Sequence, residues 1–161
     1  MKWDDINELF VCQGYLDSNN IKESFEDYLN DRRKLYPELG FYKEFGSWRN
    51  GDIIKGEESN ESLSLRPNQC YYNCQTQISP TLSYVEGYAV SKKGKQAVPH
   101  AWLEYDDGRV VESTPTIPVD ETLYYGVKFE NIDVTKAMID LEQADPIVEY
   151  MIIQGKFDKY E

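Results

Sequence analysis

Basic charge and histidine are what this chain has least of. Seventeen Lys and Arg stand against 29 Asp and Glu, a net charge of -12, and there is one histidine in 161 residues. That balance repels a phosphate backbone, and no cluster of bases interleaved with aromatics offsets it, so nucleic-acid binding is disfavoured. Lys92, Lys93 and Lys95, grouped around Gly94, read as the solvated tip of a turn. No apolar run reaches the roughly 18 residues of a membrane span, so none is expected. The N-terminus, Met1-Lys2-Trp3-Asp4-Asp5, is acidic and lacks the apolar stretch of a secretory signal. Three cysteines, Cys12, Cys70 and Cys74, are an odd number. Free thiols in a reducing cytosol are the simplest account, and a cytoplasmic protein is expected.

The chain is long enough for one domain with its own core and too short for two ordinary ones. Its 40% apolar and 14% aromatic content is that of a globular protein, and no internal repeat is visible. Residues 1–38 read as helical: one helix from Asp4 to Leu16, with Ile6, Leu9, Phe10 and Cys12 at helical spacing, and a second from Asn20 to Pro37. In the second, Asn20 and Glu23 form a capping-box pattern and Phe25, Tyr28 and Leu29 an apolar stripe. Residues 39–66 read as irregular, with a short strand at Asp52 to Lys55. A core follows over 67–129. It comprises a short helix introduced by Pro67-Asn68-Gln69 and running through about Ile78, strands at Leu82 to Val90, Val98 to Tyr105, Arg109 to Ser113 and Tyr124 to Phe129, and a turn at Ser91 to Gln96. Residues 130–161 read as two helices, opening near Asp133 and at Asp145-Pro146. Helices, an antiparallel sheet, then helices make the class α+β.

Within this core the sole histidine, His100, lies 30 residues after Cys70 and 12 before Glu112. A thiol is nucleophilic as its thiolate, which a position in the first turn of a helix favours, and Cys70 has that position. Cys74, one turn deeper on the same face, reads as a packing residue. The histidine needs an acceptor for its other ring nitrogen. Whether Glu112 can serve depends on the hairpin between the two strands. A two-residue turn at Asp107-Gly108 would send Glu112 to the face away from His100. A three-residue turn, Asp106-Asp107-Gly108, pairs Tyr105 with Arg109 and makes Glu112 a diagonal neighbour of His100 on the same face. That turn favours glycine at its last position, which Gly108 supplies. An oxyanion would need donors near Cys70: its own backbone amide, or the side chains of Gln69, Asn68 or Asn73.

The segments Asn68-Gln69-Cys70-Tyr71-Tyr72-Asn73-Cys74, Tyr84-Val85-Glu86-Gly87-Tyr88-Ala89, His100-Ala101-Trp102, Asp107-Gly108-Arg109-Val110-Val111-Glu112 and Tyr124-Tyr125-Gly126-Val127 resemble a family of small phage and bacterial proteins. Its pattern is roughly C-Y-x-N, Y-V-E-G-Y-A, H-A-W, D-G-x-V and Y-x-G-V. More distantly, the order is similar to the papain-like superfamily that includes transglutaminase-like and NlpC-like cysteine enzymes. The likeness covers about Pro67 to Phe129. It implies a papain-like or transglutaminase-like core with Cys70 as nucleophile, His100 as base and Glu112 as orienting acid. In that pattern an Asp usually stands where this chain has Glu112, one methylene longer, and a small residue often replaces Cys74.

The expected activity is hydrolysis or acyl transfer at an amide or thioester carbonyl of a peptide, a protein or a small molecule, with no cofactor. Tyr71, Trp102 and Glu86, with the 46–64 loop, are candidates for the cleft. Two other classes compete. One is a protein-binding module that uses the same fold without catalysis. The other is a zinc site from Cys70, Cys74, His100 and Glu112, although cysteines four apart on a helix chelate poorly. Taken singly, His100 also reads as an ordinary core histidine, and the cysteines as small buried hydrophobes.

Overall fold

The computed structural model describes residue 16 and residues 19–56, 69–91, 97–114 and 119–155. The helix expected over Asp4 to Leu16, the turn over 92–96, and residues Cys12 and Asn68 fall outside this set, apart from Leu16, which is buried. Five helices are described: α1 (Ile21–Arg32), α2 (Pro37–Phe45), α3 (Cys70–Gln75), α4 (Asn131–Leu141) and α5 (Val148–Ile153). Six strands, β1 (Ser47–Trp48), β2 (Ile53–Lys55), β3 (Leu82–Ser91), β4 (Ala97–Tyr105), β5 (Val110–Glu112) and β6 (Thr122–Phe129), form one sheet in the order β1-β6-β3-β4-β5-β2. The class is α+β, but the sheet is mixed: β2 runs parallel to β5 and every other pair is antiparallel. No described helix is long and apolar enough to cross a membrane.

Strand alternation sorts the sheet into two faces. Tyr84, Tyr88 and Val90 on β3, Ala101 and Leu103 on β4, and Tyr125, Val127 and Phe129 on β6 share a face with the helices and form the main core. There Phe25 of α1 meets Tyr88 and Tyr125 edge-on, both at 5.3 Å between centroids, a geometry that favours aromatic contact beyond its buried area. The other face carries Val85, Trp102, Val110 and Tyr124, a smaller cluster.

That second face is concave, and a short link makes it so. From Trp48 on β1 to Ile53 on β2 is five Cα steps, at most about 18 Å of extended chain. The two strands are at opposite edges, five spacings apart, or about 24 Å in a flat sheet. The sheet therefore curls. A buried ion pair spans the curl, with Arg49 Nε 2.7 Å from Glu104 Oε2, and the Arg49 amide donates to the Tyr124 carbonyl at 2.8 Å.

Several expectations need correction. Pro37 does not end a long helix. It occupies the first turn of α2, where its missing N–H costs nothing, and α2 occupies residues read as irregular. α1 ends at Arg32, and Asn20 makes no side-chain capping bond. α3 ends at Gln75, short of Ile78. α5 opens at Val148, two residues beyond Pro146, and Asp145 is not its cap.

The cap of α5 comes from the sheet. Glu86, fully buried on the helix-covered face of β3, accepts from the backbone amides of Ile147 (2.7 Å) and Val148 (3.0 Å). It also accepts from the hydroxyls of Tyr84 (2.5 Å) and Tyr42 (3.1 Å). Burial pushes this carboxyl up, and the four donors pull against that shift. Gln75 at the end of α3 donates to the Asp145 carbonyl at 2.6 Å, so the cysteine-bearing helix leans on the same segment. Glu86→Gln replaces an acceptor by a donor facing these groups. It should lower unfolding free energy by about 2 kcal/mol or more, read from urea midpoints at constant slope.

Candidate active site

β5 pairs with β4 at Leu103 and Glu104, which among the described residues leaves the first half of β4 without a strand on that side. α3 packs against β4. It is fastened at the end of β5, where the Asn73 side-chain amide donates to the Ser113 carbonyl at 3.3 Å and Cys74 Sγ lies 3.1 Å from Ser113 Oγ. This places Cys70, the first residue of α3, beside His100 of β4.

The hairpin takes the three-residue form. The Tyr105 amide donates to the Arg109 carbonyl at 2.9 Å, the Gly108 amide to the Tyr105 carbonyl at 2.9 Å, and Gly108 has a φ of 90°. The register Leu103↔Val111 and Glu104↔Val110 then sets Glu112 on the concave face with His100. His100 Nε2 lies 2.7 Å from Glu112 Oε1 and 3.0 Å from Oε2. The Cys70 side chain is close enough to the same imidazole to raise its pKa. Because Nε2 is taken by the carboxylate, Nδ1 is the ring atom left for the sulfur.

Burial decides which groups can react. His100 and Glu112 are each 3% exposed, while Cys70 is half-buried. Cys74 is fully buried, which pushes its thiol well up, and its sulfur is occupied by Ser113. His100 feels opposing effects. Burial alone would lower it, but the charge of Glu112, the Cys70 sulfur and the hydrogen bonds to both carry it from 6.5 to about 10. The imidazole thus holds its proton at neutral pH.

The remaining expected residues divide. Gln69 is exposed at the start of α3 and makes no side-chain capping bond, and Asn73 is buried with its amide on Ser113. Tyr71 is partly buried against the main core, and Trp102 is fully buried with its ring 6.3 Å from that of His100. Glu86 is not a cleft residue; it lies on the opposite face with its oxygens saturated by internal donors. Among the described residues no group of three or more His, Cys, Asp and Glu is arranged to hold a metal ion.

One residue of the site escaped sequence reading. Tyr124 of β6 donates its hydroxyl to Glu112 Oε2 at 3.1 Å. It stood in the Tyr124-Tyr125-Gly126-Val127 motif, but nothing local in a strand pattern reveals a reach to β5. The motif's glycine has a visible purpose: a Cβ on Gly126 would stand 2.9 Å from Trp102 Cη2. No known protein family, curated protein or solved structure matches the chain.

His100, as the sole histidine, is followed without assignment by NMR of labelled imidazole. Its midpoint should lie near pH 10, and Glu112→Gln should bring it down toward 6.5. A folded value above the unfolded one favours the folded state below about pH 6.5, and the contribution is lost as pH rises through about 10. The stability margin of wild type over Glu112→Gln should therefore shrink across that window.

Proposed function

We propose that this chain is a thiol-dependent hydrolase or acyltransferase acting on an amide or thioester carbonyl through Cys70, His100 and Glu112, built on a papain-like or transglutaminase-like core. The observation that carries the reading is a half-buried Cys70 close enough to raise the pKa of the buried His100, whose Nε2 is held 2.7 Å from Glu112 Oε1. Cys74, by contrast, is sealed against Ser113.

In this reaction the Cys70 sulfur attacks the carbonyl carbon while the proton that it gave up resides on His100. The tetrahedral oxyanion collapses, the bond to the leaving nitrogen or sulfur breaks, and His100 delivers its proton to the leaving group. His100, now neutral, takes a proton from water or an acceptor amine or alcohol as that nucleophile attacks the thioester, and returns it to the Cys70 sulfur. Glu112 holds the ring throughout and favours its charged form. The backbone amide of Cys70, at the start of α3, is a main-chain donor for the oxyanion.

The test is alkylation rate against pH for wild type, His100→Ala and Cys70→Ser, with the labelled cysteine located by mass spectrometry. Fast labelling confined to Cys70 is expected. It should fall by about tenfold or more in His100→Ala. Slow labelling that is indifferent to His100 would overturn the enzymatic reading in favour of a protein-binding module.

A further inference from the structure

We infer that Tyr124 is a positioning residue for the site: its hydroxyl holds the Glu112 carboxylate in the one orientation that offers both oxygens to His100. The inference rests on the role proposed above for Cys70, His100 and Glu112. Glu112 Oε2 is shared by two donors, His100 Nε2 at 3.0 Å and the Tyr124 hydroxyl at 3.1 Å, while Oε1 faces His100 at 2.7 Å. A glutamate has three side-chain torsions to immobilise, and a second donor from another strand removes the freedom that one partner leaves.

Tyr124 itself has no latitude. It is 1% exposed, and its ring meets Trp102 edge-on, with centroids 5.0 Å apart and planes at 69°. Trp102 in turn lies against Gly126, where a side chain would collide. Burial, and then the charge of Glu112, hold the phenol well above its ordinary value, so the hydroxyl remains a donor wherever the site works.

Among the described residues, the charged and titratable groups around the imidazole are few. Glu112 faces it from β5 and Cys70 from α3, while the Tyr124 phenol faces Glu112 from β6. Cys74 lies behind, on Ser113, and Glu104 further along β4 is paired with Arg49. Among these neighbours Tyr124 gives Glu112 a neutral hydrogen bond that fixes its orientation. Without that bond the carboxylate regains torsional freedom and holds the imidazolium less tightly.

The test is the NMR titration of the chain's one histidine in wild type, Tyr124→Phe, Glu112→Gln and the double variant. In Tyr124→Phe the His100 midpoint should fall by about half a unit or more, roughly a threefold loss of proton affinity. On the Glu112→Gln background the same change should move nothing. A midpoint equal to or above wild type, or an equal shift on both backgrounds, would overturn the inference and leave Tyr124 as packing. If Tyr124→Phe does not fold, the NMR signal of the buried Tyr124 side chain is followed instead. Its movement on Glu112→Gln supports the link, and its indifference overturns it. The titration reads this link whether or not Cys70 reacts, so an inert thiol would defeat the proposed activity separately.

Discussion

A single left-handed residue sets the side-chain parity on which the site depends. Gly108, at a φ of 90°, closes a three-residue turn and pairs Tyr105 with Arg109. Every residue of β5 takes its face from that pairing, because a strand alternates with period two. One residue fewer would bring Val111 onto the His100 face and send Glu112 to the helices. The histidine would then be buried without an acceptor and the carboxylate buried among apolar groups, an unfavourable outcome on both faces.

The curl of the sheet supplies the other condition. On the concave face, side chains from β6, β4 and β5 converge although their strands are not all neighbours: Tyr124 touches Trp102 and reaches Glu112 across β3 and β4. Two buried carboxylates show how differently the faces use the same group. Glu86, on the helix side, is surrounded by two phenols and two backbone amides, neutral donors that hold a helix in place. Glu112, on the concave side, shares its oxygens with an imidazole that can gain and lose charge. The first environment suits structure and the second suits proton movement.

Much of this was legible from residue order. The strands β3, β4 and β6 lie close to where residue order puts them, and the face shared by His100 and Glu112 follows from counting residues through a turn whose glycine selects its length. The misses have physical causes. Pro37 is compatible with both the end of one helix and the first turn of another, and the second use applied. β1 is two residues long, too short to carry a period. Asp145-Pro146 has the form of a local cap, but the acceptor that serves α5 is Glu86, 61 residues before Ile147 in the chain. Tyr124 entered the site through the curl, a property of the whole sheet that no window of sequence contains. The expectation of a wholly antiparallel sheet failed at β2 alone, whose approach to β5 is imposed by the four-residue link after β1.

Ser113 bears on how accurately such a site can be held. It is covalently next to Glu112, and its carbonyl and hydroxyl receive Asn73 and Cys74 of the helix that begins with Cys70. Sulfur and carboxylate, 42 positions apart in the chain, are thus referenced to a common datum one peptide away from the acid. Placement errors in a folded chain accumulate over each intervening joint, as tolerances do in a machined assembly. Here the joints are few, so displacements of α3 and β5 occur together and the spacing across His100 is preserved while the surrounding segments breathe.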